Sequence, residues 1–195
     1  SRIYAETGEL PSWGDRVTVA TWPRGLDRLF ALRDYEVRDR EGRELCSATS
    51  SWLVIDQTSR KIKRPDKILT SFKTEPKFMN PLPRNANKLD PVDGESLIAS
   101  RFRVRISDLD INLHTNNVMY LKWVIDTMNP GFILNNIPVF IEINYLAESH
   151  FDDEIIIKKS EKDGERILTD FSISRTTDNT ELTRVRLIWK KPVNG

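Results

Sequence analysis

Apolar and polar residues alternate along much of the first 56 positions, and alternation at period two marks strands with one buried face. Arg16-Val17-Thr18-Val19-Ala20-Thr21-Trp22 reads this way, as does Arg33-Asp34-Tyr35-Glu36-Val37-Arg38. Asp39-Arg40-Glu41-Gly42 supplies a hairpin turn into a long strand from Glu44 to Ile55. The same grammar returns near the C-terminus: Glu154 to Lys158, Leu168 to Arg175, a turn over Thr177-Asp178-Asn179, and a final strand from Glu181 to Lys190. Ahead of this second meander stand a strand from Ser100 to Ser107, a helical segment from about Asn116 to Met128, and a strand from Val139 to Leu146. Val118, Leu121, Trp123, Val124 and Ile125 form the apolar face of the helix.

The two meanders match position by position. Trp13, Asp15, Val17 and Val19 correspond to Phe151, Asp153, Ile155 and Ile157. Asp34, Tyr35 and Val37 correspond to Asp170, Phe171 and Ile173, and Leu45 and Trp52 to Leu182 and Trp189, all at an offset of about 137 residues. Nine like-for-like positions in one order point to duplication. The repeats are then residues 1–60 and 96–195, joined over 61–95 by a linker rich in Lys, Pro and Asn. A basic run in or beside it (Arg60, Lys61, Lys63, Arg64, Lys67) offers a surface to an acidic partner, although a solvated connector is the commoner meaning of such a run. The first repeat opens almost directly on strands, so a strand and helix of about 35 to 45 residues are expected ahead of Ser1 in an intact duplicate.

Composition narrows the class. Thirty Lys and Arg against 29 Asp and Glu leave almost no net charge, which sets aside a dedicated nucleic-acid binder. No apolar run approaches the roughly 20 residues of a membrane span. The single cysteine, Cys46, can form no internal disulfide, which suits a reducing compartment and excludes a zinc site built on several thiolates.

Candidate chemistry concentrates in Asp110-Ile111-Asn112-Leu113-His114, followed by the helix start Thr115-Asn116-Asn117. If the backbone is extended there, Asp110, Asn112 and His114 project to one side and Ile111 and Leu113 to the other. A carboxylate, an amide and an imidazole then share one pocket, next to a helix N-terminus whose free amides suit the oxyanion of a thioester. The alternatives are a structural histidine and an Asx turn ahead of the helix. Glu148-Ser149-His150 forms a second polar cluster. A metal reading of Asp110, His114 and His150 has no recognised ligand spacing behind it, so neither metal nor cofactor is expected.

The run Asp108-Leu109-Asp110-Ile111-Asn112-Leu113-His114-Thr115-Asn116-Asn117-Val118-Met119-Tyr120 resembles the signature of the acyl-acyl carrier protein (acyl-ACP) thioesterases of plant plastids and bacteria. The resemblance covers the whole chain, with that run its specific part. It implies an α+β tandem (double) hot-dog, antiparallel sheets each wrapping a helix; the repeat comparison adds the expectation that the first repeat lacks its N-terminal strand and helix. The resemblance also implies hydrolysis of fatty acyl-ACP to free acid and carrier, the acyl chain lying between helix and sheet. Asp110, Asn112, His114 and Glu148 take the catalytic positions, with Ser149, Asn116 and Asn117 as accessory residues. Ser149 stands where the family has a cysteine, which favours water over a side-chain nucleophile. Glu148 would then deprotonate water, His114 and Asn112 would bind the carbonyl side, and Asp110 would orient His114; the roles of His114 and Glu148 are exchangeable at this level. The competing readings are a hot-dog acyl-coenzyme A thioesterase and a non-catalytic acyl- or carrier-binding module. Acyl carrier protein is the expected partner, a homodimer the candidate assembly, and bacterial cytoplasm the expected location ahead of plastid stroma.

Overall fold

The computed structural model describes residues 1–56, 58–59, 61–67, 82, 84–92 and 96–191. The chain divides into two compact units, Ser1–Asn87 and Lys88–Gly195.

In the first unit, β1 (Arg2–Thr7), β2 (Thr18–Asp27), β3 (Phe30–Arg38) and β4 (Glu44–Ile55) form an antiparallel sheet in the order β2-β3-β4-β1, with the two-residue β5 (Ile62–Lys63) on the end of β4. The β3–β4 turn closes because Gly42 accepts a φ of 83° and the Asp39 carboxylate receives the Arg43 amide at 2.8 Å. A buried row crosses this sheet through Trp22, Asp34, Thr49 and Tyr4. Burial pushes the Asp34 carboxyl above its usual range, against the pull of Thr49 and of Arg24, whose guanidinium lies 3.5 Å away. No α-helix occurs among the described residues of this unit, and Val17 and Val19 stay exposed.

In the second unit, β6 (Leu97–Arg103) leads through a 3-10 turn at Ile106–Asp108 into α1 (Asn117–Asp126) and α2 (Pro130–Asn135). β7 (Ile137–Tyr145), β8 (Glu154–Lys162), β9 (Ile167–Arg175) and β10 (Glu181–Lys190) complete an antiparallel sheet ordered β6-β8-β9-β10-β7. α1 lays Tyr120, Trp123 and Val124, one helical stripe, into a core with Ile155, Ile157, Phe171 and Trp189. Burying such side chains contributes about 1.5–3 kcal/mol each. The expected stripe began at Val118, which is instead 68% exposed; Tyr120 takes the inward place.

The duplication is visible in the strand registers. Val19 pairs with Val37 in the first unit and Ile157 with Ile173 in the second; Val37 faces Cys46 as Ile173 faces Thr183. Where α1 covers the second sheet, Ile155 and Ile157 are buried, while their counterparts Val17 and Val19 are exposed.

The strand expected over Ser100 to Ser107 lies earlier, because the Asp108 carboxylate takes the Arg105 amide at 2.8 Å and pulls the chain into the 3-10 turn. Of the connector expected over 61–95, residues 68–81, 83 and 93–95 lie outside the described residues, as does Arg60 of the basic run. Lys63 of that run pairs with Asp56 at 3.1 Å. Further along, Leu89 is held by its backbone: its amide donates to Asn144 Oδ1 at 2.8 Å and its carbonyl accepts from Arg184 at 2.7 Å.

Candidate active site

Two loops of the second unit meet beside the start of α1. The first runs from Asp110 to His114 and is a tight turn. The Asp110 amide donates to the His114 carbonyl at 2.8 Å and the Leu113 amide to the Asp110 carbonyl at 3.1 Å. Leu113 adopts φ 61°, a left-handed conformation uncommon for a bulky residue. The Asp110 carboxylate accepts from the backbone amides of Asn112, at 2.8 Å, and His114, at 3.3 Å. The extended reading of this segment is therefore corrected. A short acceptor side chain competes for backbone donors and folds the segment into an Asx turn. Asp110 steadies the backbone that carries His114, not the imidazole. Asn112 sits at the exposed tip, and among the described residues its amide group makes no hydrogen bond to His114 or Glu148.

The second loop follows β7. Leu146 and Ala147 hang from the Leu182 carbonyl at 2.8 and 3.2 Å, and the chain then passes through Glu148, Ser149 and His150 into a turn at Asp152, φ 66°. Arg175 on β9 braces this turn, donating to the Glu148 carbonyl at 3.4 Å and the Asp153 carboxylate at 3.1 Å, with Asp178 as a further partner at 2.8 Å. Its hydrogen bonds to the Asp178 and Asp153 carboxylates hold the guanidinium above its ordinary pKa, so the brace stays charged. Nothing in the local sequence around position 175 signals this role.

Pairing between the loops sets their geometry. His114 and His150 form an antiparallel bridge, and the Thr115 amide donates to the Ser149 carbonyl at 2.9 Å. His114 Nδ1 thereby comes to 3.6 Å from Glu148 Oε2, with side chains 34% and 45% exposed. That distance is longer than a hydrogen bond, and both side chains are partly exposed to solvent. The rings of His114 and His150 stand edge to face, 4.9 Å between centroids.

Ser149 points elsewhere. Its residue is wholly buried, and its hydroxyl shares hydrogen bonds with Tyr120 Oη at 2.8 Å and Thr115 Oγ1 at 2.7 Å. Burial raises the Tyr120 phenol above its usual pKa despite these bonds, so the cluster stays protonated and ties both loops to α1. Asn116 caps α1, its Oδ1 accepting the Val118 amide at 3.1 Å, and the Asn117 carbonyl accepts the Tyr145 hydroxyl at 3.2 Å. A cleft of about 480 Å³ lies along α1 between Phe102, Met119, Trp123, Arg105 and Lys122, and neither His114 nor Glu148 lines it.

The structure thus brings His114 and Glu148 together, adds His150, and places Asp110, Asn116 and Asn117 as supports of backbone and helix. An imidazole and a carboxylate open to water are equipped for general acid–base chemistry.

The acyl-ACP thioesterase C-terminal domain model matches residues 93–191, and the N-terminal domain model matches residues 2–72. The chain belongs to the acyl-ACP thioesterase family. Among the relatives of this thioesterase family member is the chloroplastic oleoyl-acyl carrier protein thioesterase 1 of Arabidopsis thaliana, 28% identical over 166 residues, or 80% of this chain and 45% of the relative. The chloroplastic palmitoyl-acyl carrier protein thioesterase of the same plant is 31% identical over 140 residues, 68% of this chain and 34% of the relative. The chain spans about half the length, or less, of the curated relatives it matches. Its fold is that of the double hot-dog thioesterases. It superposes on an oleoyl thioesterase from Lactobacillus plantarum with a TM-score of 0.84 at 22% identity, covering 99% of this chain and 75% of that one. Against the 12:0-ACP thioesterase of Umbellularia californica the TM-score is 0.79 at 22% identity, covering 98% and 72%.

Proposed function

We propose that this family member hydrolyses fatty acyl-ACP to free fatty acid and carrier protein, with water as the attacking group. The observation that carries this reading is the contrast between two side chains: Glu148 lies open to solvent 3.6 Å from His114, while the Ser149 hydroxyl is buried and engaged. Glu148 accepts a proton as water oxygen bonds to the thioester carbon. His114 holds the carbonyl side as charge develops on its oxygen, assisted by the start of α1 at Asn116 and Asn117. Collapse of the tetrahedral intermediate breaks the carbon–sulfur bond, and the proton held by Glu148 passes to the leaving thiolate. Asn112, at the exposed tip of its loop, is assigned to contact the substrate on the carbonyl side. Asp110 serves as a positioning residue through the backbone of the His114 loop.

The names of the relatives support acyl carrier protein as the thioester donor. Cytoplasmic residence and a homodimeric assembly belong to the same proposal, the first supported by the lone cysteine; fractionation of the source cells and light scattering test them. The chemistry is tested by quenching a single turnover of acyl-ACP and weighing the protein. An unmodified mass throughout is expected, and an acyl adduct on Ser149 would contradict direct attack by water.

A further inference from the structure

The chain has only two histidines, 36 positions apart (150 minus 114), and the fold sets them side by side. One ligand atom from each of His114, Glu148 and His150 lies within 4.8 Å of the other two, the one cluster of three metal-ligating side chains among the described residues. The hydrolytic reading uses His114 and Glu148 and leaves His150 without a task. We propose that these three side chains bind a divalent transition-metal ion of the zinc class, and that occupancy turns hydrolysis off.

Two imidazoles and a carboxylate are a nitrogen-rich donor set that suits zinc, cobalt, nickel or copper and disfavours magnesium and calcium, which take oxygen ligands. Zinc bonds of about 2.0–2.1 Å place tetrahedral donors about 3.3 Å apart. His114 Nδ1 and Glu148 Oε2 stand close to that already, at 3.6 Å. The remaining contraction from the 4.8 Å limit falls on side chains that solvent leaves room to rotate, since Glu148 and His150 are exposed. The backbones beneath them are held in place by the His114–His150 bridge, the Thr115–Ser149 hydrogen bond and the Arg175 brace on the Glu148 carbonyl. Three protein ligands leave a fourth position for water, as in open zinc sites. A bound cation engages the lone pairs of Glu148 and His114. The cation's charge lowers the basicity of the remaining Glu148 oxygen and takes up the His114 nitrogen otherwise turned to the thioester carbonyl, which is why the ion inhibits. The binding half stands on geometry alone; the inhibitory half rests on the proposed hydrolysis.

Cobalt(II) titrated into the metal-stripped full chain reports coordination through its visible absorption, and calorimetry with zinc gives the affinity. One equivalent is expected to bind, and His150→Gln should weaken binding at least about tenfold. Because the chain holds no other histidine than His114, a residual imidazole signal in the variant has one source. With chelator present, His150→Gln should cleave acyl-ACP at the parent rate; with zinc added, the parent should lose activity at the concentration where zinc binds while the variant keeps it. Absence of stoichiometric cobalt binding, or binding unchanged by His150→Gln, would overturn the site. A zinc-loaded parent as active as the chelated one would overturn the inhibition. A chain that binds cobalt as expected but cleaves nothing in chelator would instead indict the hydrolytic reading and leave the metal site standing.

Discussion

Replacing Ser149 by alanine separates attack by water from attack by a side chain, because the two place the hydroxyl in different jobs. In the structure the Ser149 hydroxyl joins Tyr120 and Thr115 at 2.8 and 2.7 Å in a wholly buried position. Its removal deletes both bonds, while Tyr120 Oη keeps the Ser149 amide at 3.1 Å and the Thr115 hydroxyl as neighbours. Losing two buried hydrogen bonds at about 1 kcal/mol each costs about 2 kcal/mol. For a chain of this size that lowers the melting midpoint by about 4–8 °C. Catalysis should barely respond: well below the melting transition, kcat should stay within about threefold of the parent, since Glu148 and His114 keep their places. A serine nucleophile predicts the reverse, unchanged stability and a loss of more than about a thousandfold in kcat. The assay pairs thermal unfolding with initial rates on one preparation. A stable but inactive Ser149→Ala protein would refute the reasoning.

Three further outcomes follow from the same contacts. Glu148→Gln keeps the shape and removes the base, so kcat should fall by about a hundredfold or more with little change in melting midpoint. Asp110→Ala loses the acceptor for the Asn112 and His114 amides and should cost about 1–2 kcal/mol together with a drop in kcat/KM, whereas Asp110→Asn, which keeps an acceptor oxygen, should recover most of both. Burial, and then the neighbouring Tyr120, raises Tyr145 to about 12, and burial raises Tyr120 as well. A phenol whose folded pKa exceeds its unfolded value of about 10 stabilises fully below that pH and progressively less above it, so melting midpoints should fall from pH 10 towards 12 while the phenolate absorbance lags behind that of free tyrosine.

Much of the strand content was legible because interior strands carry strict alternation. β4 and β10 begin and end where the apolar pattern does, each held between two neighbours along most of its length. β6 shifted because a single carboxylate, Asp108, captured a backbone amide at the strand's end, a local competition that periodicity cannot see. The short β1, β5 and α2 escaped for want of enough repeats to set a period. In the candidate site, Asn116 was readable as a helix cap and is one. The direction of Asp110 was not, because both an extended strand and an Asx turn are open to Asp-x-Asn and only the closed loop decides between them. His150 was visible in a polar cluster and in a metal reading that lacked a recognised spacing, but its joining to His114, like the part played by Arg175, was beyond reach for another reason. Their roles arise from pairing between loops and strands distant in sequence, the His114–His150 bridge and the Arg175 bond to the Glu148 carbonyl.

The central claim is tested most directly by release of free fatty acid from a panel of acyl-ACP thioesters of different chain length, set beside the same acyl groups on coenzyme A and beside the His114→Ala variant. The account predicts release that prefers the carrier-bound thioesters and disappears in the folded variant. Equal release by parent and variant, or no release from any carrier-bound thioester by well-folded, metal-stripped protein, would contradict it.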